Sequence, residues 1–261
     1  MHLDIDGCFN VRDAGGWPTS DGRWMRTGGL YRADDPVRIT TDGREAISAL
    51  GLSAVVDLRQ QSQFDRGPGF ADRAITHHIP LVDRVINTDD PPRIEEPHHI
   101  AGLYDDMADR GGDQLVLAVE TVAEHIGDGP VMVHCAAGKD RTGMLVALIQ
   151  AAIGVGLEEI VEEYALSDVP SRTRRRAMID DPLPDDPPVA RAPEYLWAAP
   201  AEAMDLFARG AIETFGSLPA WPRTGVWSSR SFRTPASASM PRRCSATPPP
   251  VRAARRSDQA V

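Results

Sequence analysis

The chain has 261 residues, 42% of them hydrophobic, enough for one substantial α/β domain with a sizeable core. Its formal net charge of −10 makes an acidic body and argues against nucleic-acid binding, and it contains no apolar run of about eighteen residues, which argues against stable membrane insertion. Three cysteines, Cys8, Cys135 and Cys244, are odd in number and far apart, which argues against a disulfide framework and fits a reducing compartment.

Turn formers open the chain: Asp13-Ala14-Gly15-Gly16 and Ser20-Asp21-Gly22 predict tight turns around a hairpin. A short helix is expected over 41–50, with Asp42 and Glu45 at capping-box spacing. Ala54-Val55-Val56-Asp57-Leu58 reads as a buried strand that ends in charge, and Ile75–Leu81 as another strand. Residues 84–100 are acidic, rich in proline and without periodicity, the signature of a loop or lid. Leu115, Val119, Val122 and Ile126 recur at helical spacing, and Gly127-Asp128-Gly129-Pro130 stops that helix before the apolar strand Val131-Met132-Val133. Thr142–Ile153 is almost uniformly apolar, as a buried helix should be. Further helices are expected at Leu157–Leu166, Ser171–Ile179 and Glu194–Phe215, the last two separated by the proline-rich stretch 181–188.

After Leu218 the composition changes. From Trp221 onward eight arginines face one acid, Asp258, so the tail carries +7 and residues 1–220 carry −17. The expected organisation is a catalytic-size domain over 1–218 and an Arg/Pro/Ser-rich tail over 219–261, read either as disordered or as the product of a reading-frame shift near residue 220. The start, Met1-His2-Leu3-Asp4, lacks the pattern of a secretory signal, so a cytoplasmic location is expected, with signal-less export still compatible. There is no CxxC or HExxH, and neighbouring histidines such as His77-His78 and His98-His99 usually point apart, so neither a metal nor a cofactor is expected. Oligomeric state is not legible.

Chemistry concentrates in His134-Cys135-Ala136-Ala137-Gly138-Lys139-Asp140-Arg141-Thr142-Gly143, between the strand ending at Val133 and the helix beginning at Thr142. A strand-to-helix turn can aim successive backbone N–H groups inward as an anion nest, and the following helix adds the positive end of its dipole. The small side chains of Ala136, Ala137 and Gly138 let the backbone close around three phosphate oxygens. Arg141 offers a planar guanidinium for bidentate contact, and the same positive field favours the Cys135 thiolate as nucleophile. Thr142 is placed to hydrogen-bond that sulfur or to assist breakdown of a phospho-cysteine, and His134 is read as orienting the loop. Lys139 stands alone among 27 arginines, which fits a second cation near the phosphate.

This string resembles the active-site signature of the protein tyrosine phosphatases, and HCAAGKDRTG resembles their bacterial PtpB-type branch in particular. Phe9-Asn10-Val11-Arg12-Asp13-Ala14-Gly15-Gly16 is similar to the family's N-terminal motif, Gly29-Leu30-Tyr31-Arg32 to its next, and Val56-Asp57-Leu58-Arg59 to its DLR strand. The resemblance covers roughly residues 4–218. It implies an α/β sandwich with a mostly parallel central sheet flanked by helices and the phosphate loop at a strand-to-helix turn. It also implies Cys135 as nucleophile, Arg141 as phosphate clamp, and Lys139 and Asp140 as the additional loop residues of this branch. Asp83 aligns with the acid-bearing loop, so Asp83 and Asp140 are rival general acids. Arg12, Asp13, Asp57 and Arg59 are expected either to brace the loop through ion pairs or to touch substrate.

The implied activity is hydrolysis of phosphotyrosine in protein substrates through a phospho-cysteine. The alternatives are a dual-specificity or phosphoinositide phosphatase with the same chemistry, and a catalytically dead phosphate-binding module. Rhodanese-like sulfur transfer also uses a cysteine loop capped by arginine, but the Thr142-Gly143 ending argues against it.

Overall fold

The computed structural model describes residues 1–67, 69–70, 74–81, 96–182, 193–218 and 233–234. At its centre is β6 (Val131–His134), which extends the predicted apolar run by one residue. It is flanked by β3 (Leu30–Ala33) and β4 (Ala54–Asp57), with β1 (Arg12–Asp13) beyond β3 and β5 (Ile75–His78) beyond β4. The order β1-β3-β6-β4-β5 contains three parallel pairings and one antiparallel one, β1 with β3, so the sheet is mostly parallel as expected.

Alternation along the strands sorts the core onto both faces. Leu30, Ala54, Val56, Val131 and Val133 join the larger core, built with α3 (Glu96–His125), α4 (Asp140–Ala152), α5 (Leu157–Ala165) and α7 (Ala201–Phe215). Ala33, Val55 and Met132 face the other way, onto Ile5, Val11 and Ile47 of α1 (Thr41–Ser48). The remaining α-helices among the described residues are α2 (Gln61–Phe64) and α6 (Asp168–Asp180). No helix among the described residues is long and apolar enough to cross a membrane.

Several expectations need correction. The cap of α1 is not an Asp42/Glu45 box: the Thr40 hydroxyl accepts the Gly43 N–H at 3.2 Å, and Asp42 lies inside the first turn, where its charge suits the helix dipole. Residues 96–100 of the segment expected as loop open the 30-residue α3, which kinks at Gly111. A Cβ at Gly111 would stand 2.2 Å from Leu81 Cδ1, so a larger residue here would make the Leu81 side chain shift. Residues 84–95, the rest of that expected loop, lie outside the described residues, as do 183–188 of the proline-rich stretch. The single helix expected over 194–215 is a 3-10 turn, Glu194–Trp197, followed by α7, because Pro200 forces an extended break between them. Of the tail only Arg233–Thr234 is described, as β7 beside β2 (Trp24–Met25); the expectation for the rest lies outside the described residues.

Candidate active site

Parallel register sets the site at the carboxyl ends of the central strands, where ligands of open α/β sheets bind. Asp57 of β4 and Ala33 of β3 both stand level with His134 of β6, and Cys135 follows, 2% exposed.

From Cys135 the chain turns into α4, and the carbonyls of that turn are tied outward one after another. The Ala136 carbonyl accepts from the Asp35 N–H at 3.0 Å. Asn10 Nδ2 donates to the carbonyls of Ala137 at 3.2 Å and Gly138 at 3.0 Å. Arg32 Nη2 donates to Gly138 O at 2.6 Å and Lys139 O at 3.4 Å. A trans peptide carries its N–H opposite its C=O. Tying back four successive carbonyls therefore turns the N–H groups of residues 137–140 to the other side, an array that suits an oxyanion at the α4 N-terminus.

Gly138 makes that turn possible. Its φ is +64°, and a Cβ there would stand 2.4 Å from the Ala33 carbonyl oxygen. Gly138→Ala is expected to lower kcat/KM about a hundredfold, the scale of a loop displaced by about 1 Å. Gly22→Ala is the control: its φ is +78° with nothing within 4 Å of a Cβ, so it should carry the backbone strain without the catalytic loss.

The loop rests on buried charge. Arg12 Nε meets Glu163 Oε1 at 2.9 Å and Arg32 Nη1 meets Glu163 Oε2 at 2.5 Å, while Arg12 also reaches Asn10 Oδ1 and Ser167 Oγ. Burial and Arg32 pull Arg12 down to about 10 despite Glu163. For Glu163 burial works against ionisation, but the two guanidinium groups outweigh it and hold its carboxyl below the usual range. On the strand side Asp57 takes Arg59 Nε and Nη2 at 3.0 and 2.7 Å, and His134 Nε2 lies 3.3 Å from Asp57 Oδ2. Burial raises Asp57, but His134 and Arg59 win and hold it well below the ordinary carboxylate range.

Acid stability follows from that direction. The unfolded Asp57 titrates near 4, so below that pH the unfolded state binds the extra proton and stability falls as pH drops toward the depressed folded value. Urea midpoints at pH 7 and pH 3.5 should differ more for wild type than for Asp57→Asn, whose curve should be the flatter of the two.

Arg141 Nη1 donates to the Leu58 carbonyl at 3.1 Å and to Gln63 Oε1 of α2 at 3.3 Å. Thr142 Oγ1, on the first turn of α4, is buried with no hydrogen-bond partner among the described residues. A model of the tyrosine phosphatase family matches residues 3–232, which takes in this loop and every group that braces it.

The chain belongs to the tyrosine phosphatase family.

It is a phosphatase hydrolase of the PtpB type, cysteine-dependent as the family is. It is 29% identical to the triple specificity protein phosphatase PtpB of Mycobacterium tuberculosis, across 84% of this chain and 92% of the relative. It is 30% identical to a putative tyrosine-protein phosphatase of Cupriavidus necator, across 64% and 63%. A tyrosine-protein phosphatase of Nostoc commune is also 30% identical, across 53% of this chain and 48% of the relative.

Not every expected site residue of this phosphatase faces the loop interior. Asp13 caps a distant turn, accepting from the N–H groups of Gly15 at 2.8 Å and Gly28 at 2.6 Å. Lys139 reaches away, to the carbonyls of Leu196 and Ala198. Asp140 accepts from Tyr104 Oη at 2.7 Å. Asp83 lies outside the described residues. His77 and His78 do point apart, His77 toward His125 Nε2 and His78 toward the Arg59 carbonyl. Among the described residues no three His, Cys, Asp or Glu are grouped to hold a metal ion.

Sequence reading missed Asn10, Arg32 and Glu163 as braces, although the first two stand in motifs it quoted. Glu163 had a signal of its own: it falls on the buried stripe of α5 with Ile160 and Tyr164, where an acid is rare unless paired.

Proposed function

We propose that residues 1–218 form the catalytic body and hydrolyse phosphotyrosine in protein substrates through Cys135. The Cys135 thiolate attacks phosphorus while the ester P–O bond breaks, and the leaving phenolic oxygen takes a proton from a carboxylic acid. Water then attacks phosphorus, the P–S bond breaks, and inorganic phosphate leaves with the thiolate restored. Backbone N–H groups of 137–140 and the Arg141 guanidinium hold the three phosphoryl oxygens, over which the charge is spread as the group passes from ester oxygen to sulfur. Thr142, whose buried hydroxyl has no partner among the described residues, is available to the sulfur. A reducing setting such as the cytoplasm suits a reaction that needs this thiol free.

The four outward-tied carbonyls of residues 136–139 are the observation that carries this reading. They specify an oxyanion cradle, and a cradle with a nucleophile at its entrance is more than a binding module needs. A phosphoinositide substrate would call on Lys139 as a second cation for its multiply charged head group. That ammonium is already matched by two carbonyls and a carboxylate, which favours the singly phosphorylated tyrosine substrate.

Phosphate release from a phosphotyrosine peptide, compared with release from a phosphoinositide in mixed micelles, tests the substrate. A kcat/KM higher for the peptide is expected, and the reverse order overturns the assignment. Asp83→Asn and Asp140→Asn decide the acid: the variant that loses the acidic control of kcat on its alkaline side, with a rate fall of about a hundredfold, carried the proton.

A further inference from the structure

Lys139 is the single lysine in a chain with 27 arginines, and its side chain is 2% exposed. Its ammonium has three protons and three oxygen partners: the Leu196 carbonyl at 2.8 Å, the Ala198 carbonyl at 2.7 Å and Asp140 Oδ1 at 3.1 Å. A buried ammonium is tolerated only when so satisfied, and a planar guanidinium could not meet three acceptors grouped around one nitrogen. The choice of lysine over the arginine used everywhere else thus has a geometric reason.

Both ends of this contact are anchored. Asp140 is held from α3 by Tyr104, whose hydroxyl is in turn 2.5 Å from that of Tyr164 on α5. On the other side the Ala199 N–H donates to Asp168 Oδ1 at 2.8 Å, Arg172 bridges Asp168 and Glu194, and Trp197 packs with Met178 of α6. Lys139 is also the residue from which α4 starts, directly after the cradle carbonyls of 136–138. The segment Glu194–Ala199, which leads into α7, is thereby fastened to the phosphate loop at one nitrogen.

We propose that Lys139 is a positioning residue, a latch through which docking of the Glu194–Ala199 segment holds the phosphate loop in its working shape. The inference rests on the reading of residues 135–141 as the phosphate site. It makes loop geometry conditional on the C-terminal segment of the body, which meets Lys139 through the backbone carbonyls of Leu196 and Ala198.

The test uses the full chain as wild type, Lys139→Met, Lys139→Arg and Asp168→Ala. Amide exchange at residues 194–199, kcat and KM on a phosphotyrosine peptide, and binding of inorganic phosphate are measured in parallel. Lys139→Met is expected to speed exchange at 194–199 and to lower kcat about tenfold or more while KM shifts less than about threefold. Lys139→Arg should not restore either. Asp168→Ala, which frees the segment from its other side, should reproduce the faster exchange and part of the fall in kcat.

Two results overturn the latch. One is a Lys139→Met variant with unchanged exchange and about tenfold weaker phosphate binding, which makes Lys139 a direct phosphate cation. The other is a Lys139→Met variant indistinguishable from wild type in all three measurements. A wild type that binds phosphate but releases none from the peptide would instead sink the proposed reaction, and exchange together with phosphate binding would still decide the latch.

Discussion

Cys135→Ser is expected to lower phosphate release by about a thousandfold or more, the scale on which removing a covalent nucleophile acts, while leaving binding of inorganic phosphate nearly intact. The two halves of that expectation come from different parts of the loop. Chemistry needs the sulfur, because a serine hydroxyl at neutral pH is a poor nucleophile without an adjacent base and the described neighbours supply none. Binding needs the N–H groups of 137–140 and Arg141, and their geometry is set from behind by Asn10, Arg32 and Asp35, none of which the substitution touches. Stopped-flow phosphate release and equilibrium dialysis measure the two separately. A serine variant that turns over within tenfold of wild type would remove the phospho-cysteine from the mechanism. One that lost phosphate binding as well would mean that the sulfur, and not the backbone, organises the cradle.

Glu163→Gln should be the most damaging change to stability. The substitution keeps the shape and a hydrogen-bonding group but removes the carboxylate shared by Arg12 and Arg32, which are 1% and 0% exposed. Breaking one partner of a buried pair costs about 3–5 kcal/mol, because the charge left behind can neither find water nor discharge easily. In a body of this size that corresponds to a fall in Tm of about 10 °C by calorimetry. Arg32 also carries the Gly138 carbonyl, so the variant should bind inorganic phosphate more weakly even at temperatures where it stays folded. A fall of less than about 3 °C with unchanged binding would show that the brace is energetically neutral, as some buried ion pairs are.

Much of the fold was legible because it is written in local periodicity. Ala54–Asp57 and Val131–His134 are short and apolar on both faces, as strands covered by helices on either side must be. The helices α4, α5 and α6 came out within a few residues of expectation, since an apolar stripe at helical spacing needs no knowledge of its partner. The first half of α3 was hidden by its composition: Ile100, Leu103, Tyr104 and Met107 do form a buried stripe, but acids interleave them and Gly111-Gly112 interrupts the run. The kink at Gly111 packs against Leu81, a residue far away in sequence, and no local pattern announces such a crossing.

At the candidate site the division is sharper. By itself the sequence determined that a cysteine and an arginine flank a tight, glycine-containing turn between a buried strand and a buried helix, because spacing, small side chains and a required positive φ are local properties of the chain. Only the tertiary structure decided which groups shape that turn: Asn10 and Arg32 reach its carbonyls across more than a hundred residues, and Glu163 pairs with Arg12 across 151. It alone also decided that the one lysine of the signature turns away from the loop to meet the carbonyls of Leu196 and Ala198. Direction of a side chain depends on which acceptors the fold brings within reach. A buried ammonium goes where its three protons can be matched, and that is fixed by the packing of distant segments.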